Sequence, residues 1–338
     1  MGSISLPNLV YLDALNFCRE FNKYKWENEN IFDFSKVNTC NPFPMLIVGS
    51  AIRQARALHR GQECKASNCC NTYAKTMRFY KFIGIDKGKS LDLDYGNSVY
   101  RPISDLKIEN YIEKNKLLNK PLGEVITQRA RELAGLLAQG NKKFLDVLTF
   151  CMREIIRNIP EHSKTQKGFY CAQYWPSTKT VEVAVIDEGS GIYNSLSNNY
   201  HYGSKINTNL DSLELAIQPG VSRTFSPNLD EEIFAGESSI WKNSGYGLHM
   251  VSRICAYSGG SFILASGEDA IYLNTDTRSD EICQTNYKTM VNGTAIQMRL
   301  NVETLTNYKY IIERINTELK DSIIDGFKVA SRASSLLV

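Results

Sequence analysis

Apolar positions recur along this chain with two alternating periods, and each change of period marks an element. Ile4-Ser-Leu-Pro7 predicts a short opening strand. From Tyr11 to Tyr24, Leu12, Leu15, Phe17, Cys18 and Phe21 fall on one face of a helix. Asn30 to Ser35 alternates apolar with polar and predicts a strand. Pro42 and Pro44 punctuate the loop after it, and Met45 to His59 predicts a second helix. A weaker segment at 63–66 follows, then a third helix from Thr72 with Gly84 as its stop. Strands alternating with helices predict a small α/β layer domain over residues 1–90.

Residues 86–104 are rich in turn formers and read as a linker or extended hairpin, followed by a charged helical stretch from Ile108 to Leu118. Together, 91–120 form the connection. Pro121 to Gln139 is an amphipathic helix that Gly140 breaks. Phe144, Val147, Leu148, Cys151, Ile155 and Ile159 then stripe a helix over 144–159, which Pro160 is expected to end. Val181 to Ile186 is a β-branched strand. A long polar stretch at 192–243, with a short helix from Asp211 to Ile217, has the composition of a lid. A helix runs from Gly245-Tyr-Gly247 to Tyr257, and strands are expected at 261–266, 270–273 and 294–300, with 274–289 as loop. Residues 303–338 form a helical extension that can pack on its own domain or on another copy.

Composition narrows this little. A chain of 338 residues, 43% hydrophobic and 22% charged, predicts two domains with a sizeable core. The net charge of +3 gives no signal for nucleic acid, and no apolar run approaches bilayer length. The opening residues lack the basic stretch and long apolar core of a secretory signal, so the nine cysteines are expected as reduced thiols of a cytoplasmic protein. The cluster His59, Cys64, Cys69 and Cys70 has poor zinc spacing.

Candidate chemistry lies in four places. Glu154 and Asn158 stand one turn apart on the polar edge of their helix. Asp187 ends the strand, and Gly189 and Gly191 follow it. Gly245 and Gly247 open a helix whose N-terminal N–H groups suit an anion. Gly293-Thr294 opens the last strand. Each alone has a bland reading as a surface helix face, a polar turn or a loop. No P-loop motif is present. His162, one turn past Asn158, is read as a hydrogen-bonded structural residue.

The order of the four pieces resembles the GHKL ATP-binding superfamily over about residues 120–302. Glu154-Ile-Ile-Arg-Asn-Ile-Pro-Glu-His-Ser163 and Leu215-Ala-Ile-Gln-Pro-Gly-Val-Ser222 look most like its small bacterial regulatory branch, which includes anti-sigma kinases. Phe32 to Val37 and Ala74 to Gly84 resemble STAS-like domains, in which a Ser or Thr after the central strand can be phosphorylated; Ser35 and Thr39 are the residues available here, without a distinctive motif. The resemblance implies a GHKL two-layer α/β sandwich preceded by a small STAS-like α/β domain, with ATP and Mg²⁺ as cofactors. It implies Asn158 as the Mg²⁺ ligand, and Asp187, supported by Thr294, as acceptor for the adenine amino group. Gly189, Gly191 and Ile192 would lie against the base and ribose. Gly245, Gly247 and Leu248 would cradle phosphates, Lys242 would neutralise the last of them, and Glu154 would activate water or a hydroxyl. Three functions follow as expectations: a slow ATPase switch toward a regulatory or effector protein, an anti-sigma-type Ser/Thr kinase, and an ATP-holding interaction module. Stress signalling and defence against phage both fit such a switch.

Overall fold

The structure, a computed structural model, describes residues 1–85, 96–106, 113, 117, 122–163, 165, 167–199, 202–221 and 245–322. The fold is mixed α/β with two sheets. The first is parallel, in the order β1 (Gly2–Ser5), β2 (Glu29–Asp33), β3 (Glu63–Ser67). Its crossovers are α1 (Tyr11–Phe21) and α2 (Pro42–Leu58). The expected third helix is two short ones, α3 (Thr72–Thr76) and α4 (Phe79–Phe82), because Arg78 takes a left-handed φ of 61° that sequence periodicity does not reveal.

The second sheet is antiparallel and five-stranded. Its strands are β4 (Tyr100–Asp105), β5 (Gly168–Trp175), β6 (Thr180–Asp187), β7 (Ser261–Thr275) and β8 (Ile282–Asn301), in the spatial order β4-β5-β6-β8-β7. Alternate residues of β6 face opposite ways, as a strand requires. Val181, Val183 and Val185 join one core, while Ala184 and Ile186 join another. Every residue of β6 is buried, which explains its nearly continuous apolar run.

The first core is roofed by α5 (Leu122–Leu137), α6 (Lys142–His162) and α9 (Gly247–Tyr257), with α10 (Tyr308–Ser322) beyond. Two short helices, α7 (Gly191–Ser197) and α8 (Asn209–Ala216), pack near β7. The second core lies between the two sheets. Phe32, Phe43 and Ile47 of the N-terminal layer share it with Phe169, Cys171, Ile263 and Ala295 of the five-stranded sheet. The molecule is therefore layered as parallel sheet, helices, antiparallel sheet, helices.

Several expectations change. Pro160 lies inside α6, which continues to His162 and closes with the Ser163 N–H donating to the Ile159 carbonyl. Proline there removes only one N–H near the last turn, so the end is delayed by two residues. The polar stretch at 274–289 belongs largely to the β7–β8 hairpin rather than to a loop, since pairing between the strands, not burial, sustains it. β5 carries no clean alternation because both its faces are buried. Most of the 108–118 helix, part of the 192–243 lid including Lys242, and 323–338 of the extension lie outside the described residues. Among the described residues no helix is long and apolar enough to cross a membrane.

Candidate functional site

The cleft forms where α6 passes the end of β6 and the middle of β8. Asn141 starts α6, its side chain accepting from the Phe144 N–H at 3.1 Å. The apolar stripe then fixes the helix rotation, so Ile155, Asn158 and Ile159 face β6. Opposite, Asp187 pairs in register with Thr294 across β6 and β8. Asn158, Asp187, Gly191, Ile192, Leu248 and Thr294 line one cavity of about 60 Å³. Six residues predicted from four separate segments thus meet at one place. Ile159, Val185, Leu264 and Ile296 give it an apolar floor.

Asp187 is the polar centre of this cavity. It is 7% exposed. Burial pushes its carboxyl up to about 7, against the opposing pull of hydrogen bonds from the Gly189 N–H and from Thr294. The Gly189 N–H donates to Asp187 Oδ1 at 2.9 Å. A carboxylate held in so apolar a place gains from any further donor that a ligand brings.

The loop after β6 is fastened on both sides. The Ser190 N–H donates to the Ser163 carbonyl at the end of α6, at 2.8 Å. Ser266 Oγ accepts from the Ile192 N–H at 3.0 Å and donates to the Gly293 carbonyl at 2.6 Å, so one hydroxyl bolts the start of α7 to β8. Gly293 has φ +103°, and a Cβ there would stand 2.0 Å from the Asp187 carbonyl oxygen. Only glycine meets both conditions. Glu188 reaches the opposite way, into the N-terminal layer. Arg53 Nη2 and Nε donate to its two oxygens at 2.6 and 3.2 Å, and Ser50 Oγ donates at 3.1 Å. The Arg53 guanidinium also lies 4.2 Å from the Phe169 ring centre.

Glu154 is not among the residues lining the cavity. It is buried, with one oxygen held by Arg153 and the other by Arg157 Nη2 at 3.1 Å. It touches the N-terminus of α9 instead: a Cβ on Gly247 would lie 2.3 Å from Glu154 Oε2, so Gly247 is there to let the helix approach. Gly245 stands against the backbone of Gly220 and Val221. The segment ending at 221 is clasped again by His249. Burial and the nearby Arg253 bring this imidazole down to about 4, and the neutral ring's Nδ1 donates to the Ile217 carbonyl at 3.0 Å.

Ser163, Ser266, Arg153, Arg157, Glu188 and His249 had no place in the sequence reading of the site. Arg157, three residues after Glu154, was the one with a visible signal, an i,i+3 ion pair. The side chain of His162 lies outside the described residues. His59 stacks on Trp26 with ring centres 4.8 Å apart, and its Nδ1 bonds the Ala55 carbonyl at 2.8 Å. Among the described residues no group of His, Cys, Asp and Glu could hold a metal, and no disulfide joins the cysteines. No protein-family model matches the chain, and no curated protein and no solved structure matches it.

Proposed function

We propose that this chain binds ATP with Mg²⁺ in the cleft between α6, β6 and β8, and that it works as a slow regulatory ATPase acting on a partner protein. The carrying observation is the convergence of Asn158, Asp187, Gly191, Ile192, Leu248 and Thr294 on one cavity. The reading takes residues 121–302 as a GHKL-type nucleotide domain and the N-terminal layer as STAS-like. Asp187 suits the adenine amino group, since its carboxyl is buried and gains from a further donor. The apolar floor suits a flat base. Asn158 supplies one oxygen to Mg²⁺, a cation that takes few protein ligands when phosphates provide the rest. When bound, that ion neutralises phosphate charge. The helix N-terminus at Gly247 and Leu248 offers backbone N–H groups to the same phosphates.

Glu154 is the residue of this chain that would take a proton from water or a hydroxyl. Its clamp by Arg153 and Arg157 has a cost for turnover, because it engages both oxygens and holds the side chain out of the cavity lining. That observation supports slow hydrolysis, and it also favours the second reading, a module that holds ATP without consuming it. ATP labelled at the γ-phosphate separates the readings. The expected result is slow release of labelled phosphate that needs Mg²⁺ and is lost in Glu154→Ala. Label transferred to a protein assigns a kinase. Bound ATP with neither outcome assigns the holding module. Absence of ATP binding overturns the proposal.

A further inference from the structure

A second cavity lies behind the first, on the opposite face of β6 and β8. It occupies about 140 Å³ between α1, α2 and the inner side of the sheet. Its wall on the sheet includes Ile186, whose neighbours Val185 and Asp187 line the first cavity. Strand alternation thus sets the two cavities back to back. The rim carries a preformed aromatic surface, Trp26 stacked on His59 at 9° between planes. Phe21 and Ala51 continue the apolar wall, and Leu58, 81% exposed, stands at the mouth.

Polar groups interrupt this apolar lining. Gln54 Nε2 donates to Ser50 Oγ at 2.9 Å and lies 3.4 Å from the Asn292 carbonyl. Asn22 adds a further amide to the lining. No Asp, Glu, Lys or Arg is among the described residues that line the cavity. A charged ligand would lose its hydration with no opposite charge to meet it. An apolar cavity of about 150 Å³ holds a benzene ring, so this volume matches one ring.

We infer that this cavity is a binding site for a neutral planar ring carrying an amide-like hydrogen-bonding edge. The ring lies between Ala51 and the Trp26 side, and its edge meets Ser50 and Gln54. This site is independent of what the first cavity binds. It is not mechanically isolated, because the Ser50 hydroxyl that faces it also donates to Glu188, next to Asp187.

Benzamide serves as the probe, with the full chain labelled with fluorotryptophan. The chain has three tryptophans, at positions 26, 175 and 241, and Trp26→Phe assigns the Trp26 resonance by its loss. The expected result is a saturable shift of the Trp26 resonance, with Trp175 unmoved. Ala51→Phe, which fills the cavity, should weaken binding at least tenfold, and Gln54→Leu should weaken it severalfold. Should Ala51→Phe fail to fold, Ala55→Leu fills the same space from the next turn of α2. A Trp26 resonance that shows no saturable shift, or a folded filled variant that binds benzamide as tightly as the parent, overturns the site.

Discussion

Asp187 behaves as a carboxyl whose charge the fold resists. Its pKa rises from an ordinary 3.8 to about 7 on folding, so the folded chain takes up a proton in that interval. Its contribution to the stability of the unliganded protein is therefore complete below about pH 4 and is lost as the pH rises through 7. Asp187→Asn should remove that part of the pH dependence, as seen in denaturant midpoints from pH 4 to 8. The ionised form is the stronger acceptor for the adenine amino group, so ATP affinity should run the other way. It should be weaker at pH 6 than at pH 8, and that difference should shrink in Asp187→Asn. Gly293 bears on the same carbonyl corner. Gly293→Ala places a Cβ against the Asp187 backbone at a left-handed φ, and should cost about 3 kcal/mol or more in urea unfolding. Asp187 was legible as a strand-end acid, whereas Gly293-Thr294, expected to open the last strand, lies inside β8, whose polar first half has no apolar alternation to mark it. Ser266 was not legible, because its two hydrogen bonds reach back to Ile192 and forward to Gly293, and nothing local marks the residue.

Among elements, the helices that carry a stripe and the β-branched strand β6 were readable, and β5 was not. α6 announced itself through Phe144, Leu148, Cys151 and Ile155, all of which face the core. β5, with Phe169 and Cys171 on one core and Tyr170 and Ala172 on the other, offers no polar face to set a period. The link between α2 and the loop after β6 is equally invisible to sequence, because Arg53 and Glu188 are 135 residues apart. This contact ties α2 directly to the residue after Asp187. The Glu188 side chain is 10% exposed and that of Arg53 34%, so solvent screens the pair only on the arginine side. Arg53→Ala should destabilise by roughly 2 kcal/mol, as expected for a lost charged hydrogen-bond pair. A double-mutant cycle with Glu188→Gln should show coupling of about 1 kcal/mol or more. Independent effects of the two substitutions would show that the pair does not join the layers.

At the scale of the whole molecule, the alternation of strands and helices over the first ninety residues was plain, and their placement was not. Sequence patterning divides the chain into 1–90 and 121–302 and leaves their packing unspecified; in the structure α1 and α2 cover a face of the five-stranded sheet. Phe169, Cys171, Ile186, Ile263 and Ala295 are buried partly by that layer. A fragment starting at residue 96 should therefore expose a broad apolar surface and aggregate, whereas the full chain stays monodisperse in size-exclusion chromatography. A monodisperse fragment that melts with the full chain would show that the layers fold separately. The sequence could not reveal this burial, since residues facing a partner layer and residues facing a domain's own helices are both simply apolar.

The proposed ATP site draws six residues from four segments. Calorimetric titration of the full chain with ATP and Mg²⁺ tests it most directly, comparing the parent with Asn158→Ala and Asp187→Ala, each shown to be folded by its melting curve. The expected result is one binding site per chain, with affinity reduced at least tenfold by either substitution. ATP binding of parental strength in both variants, or none in the parent at millimolar ATP, would contradict it.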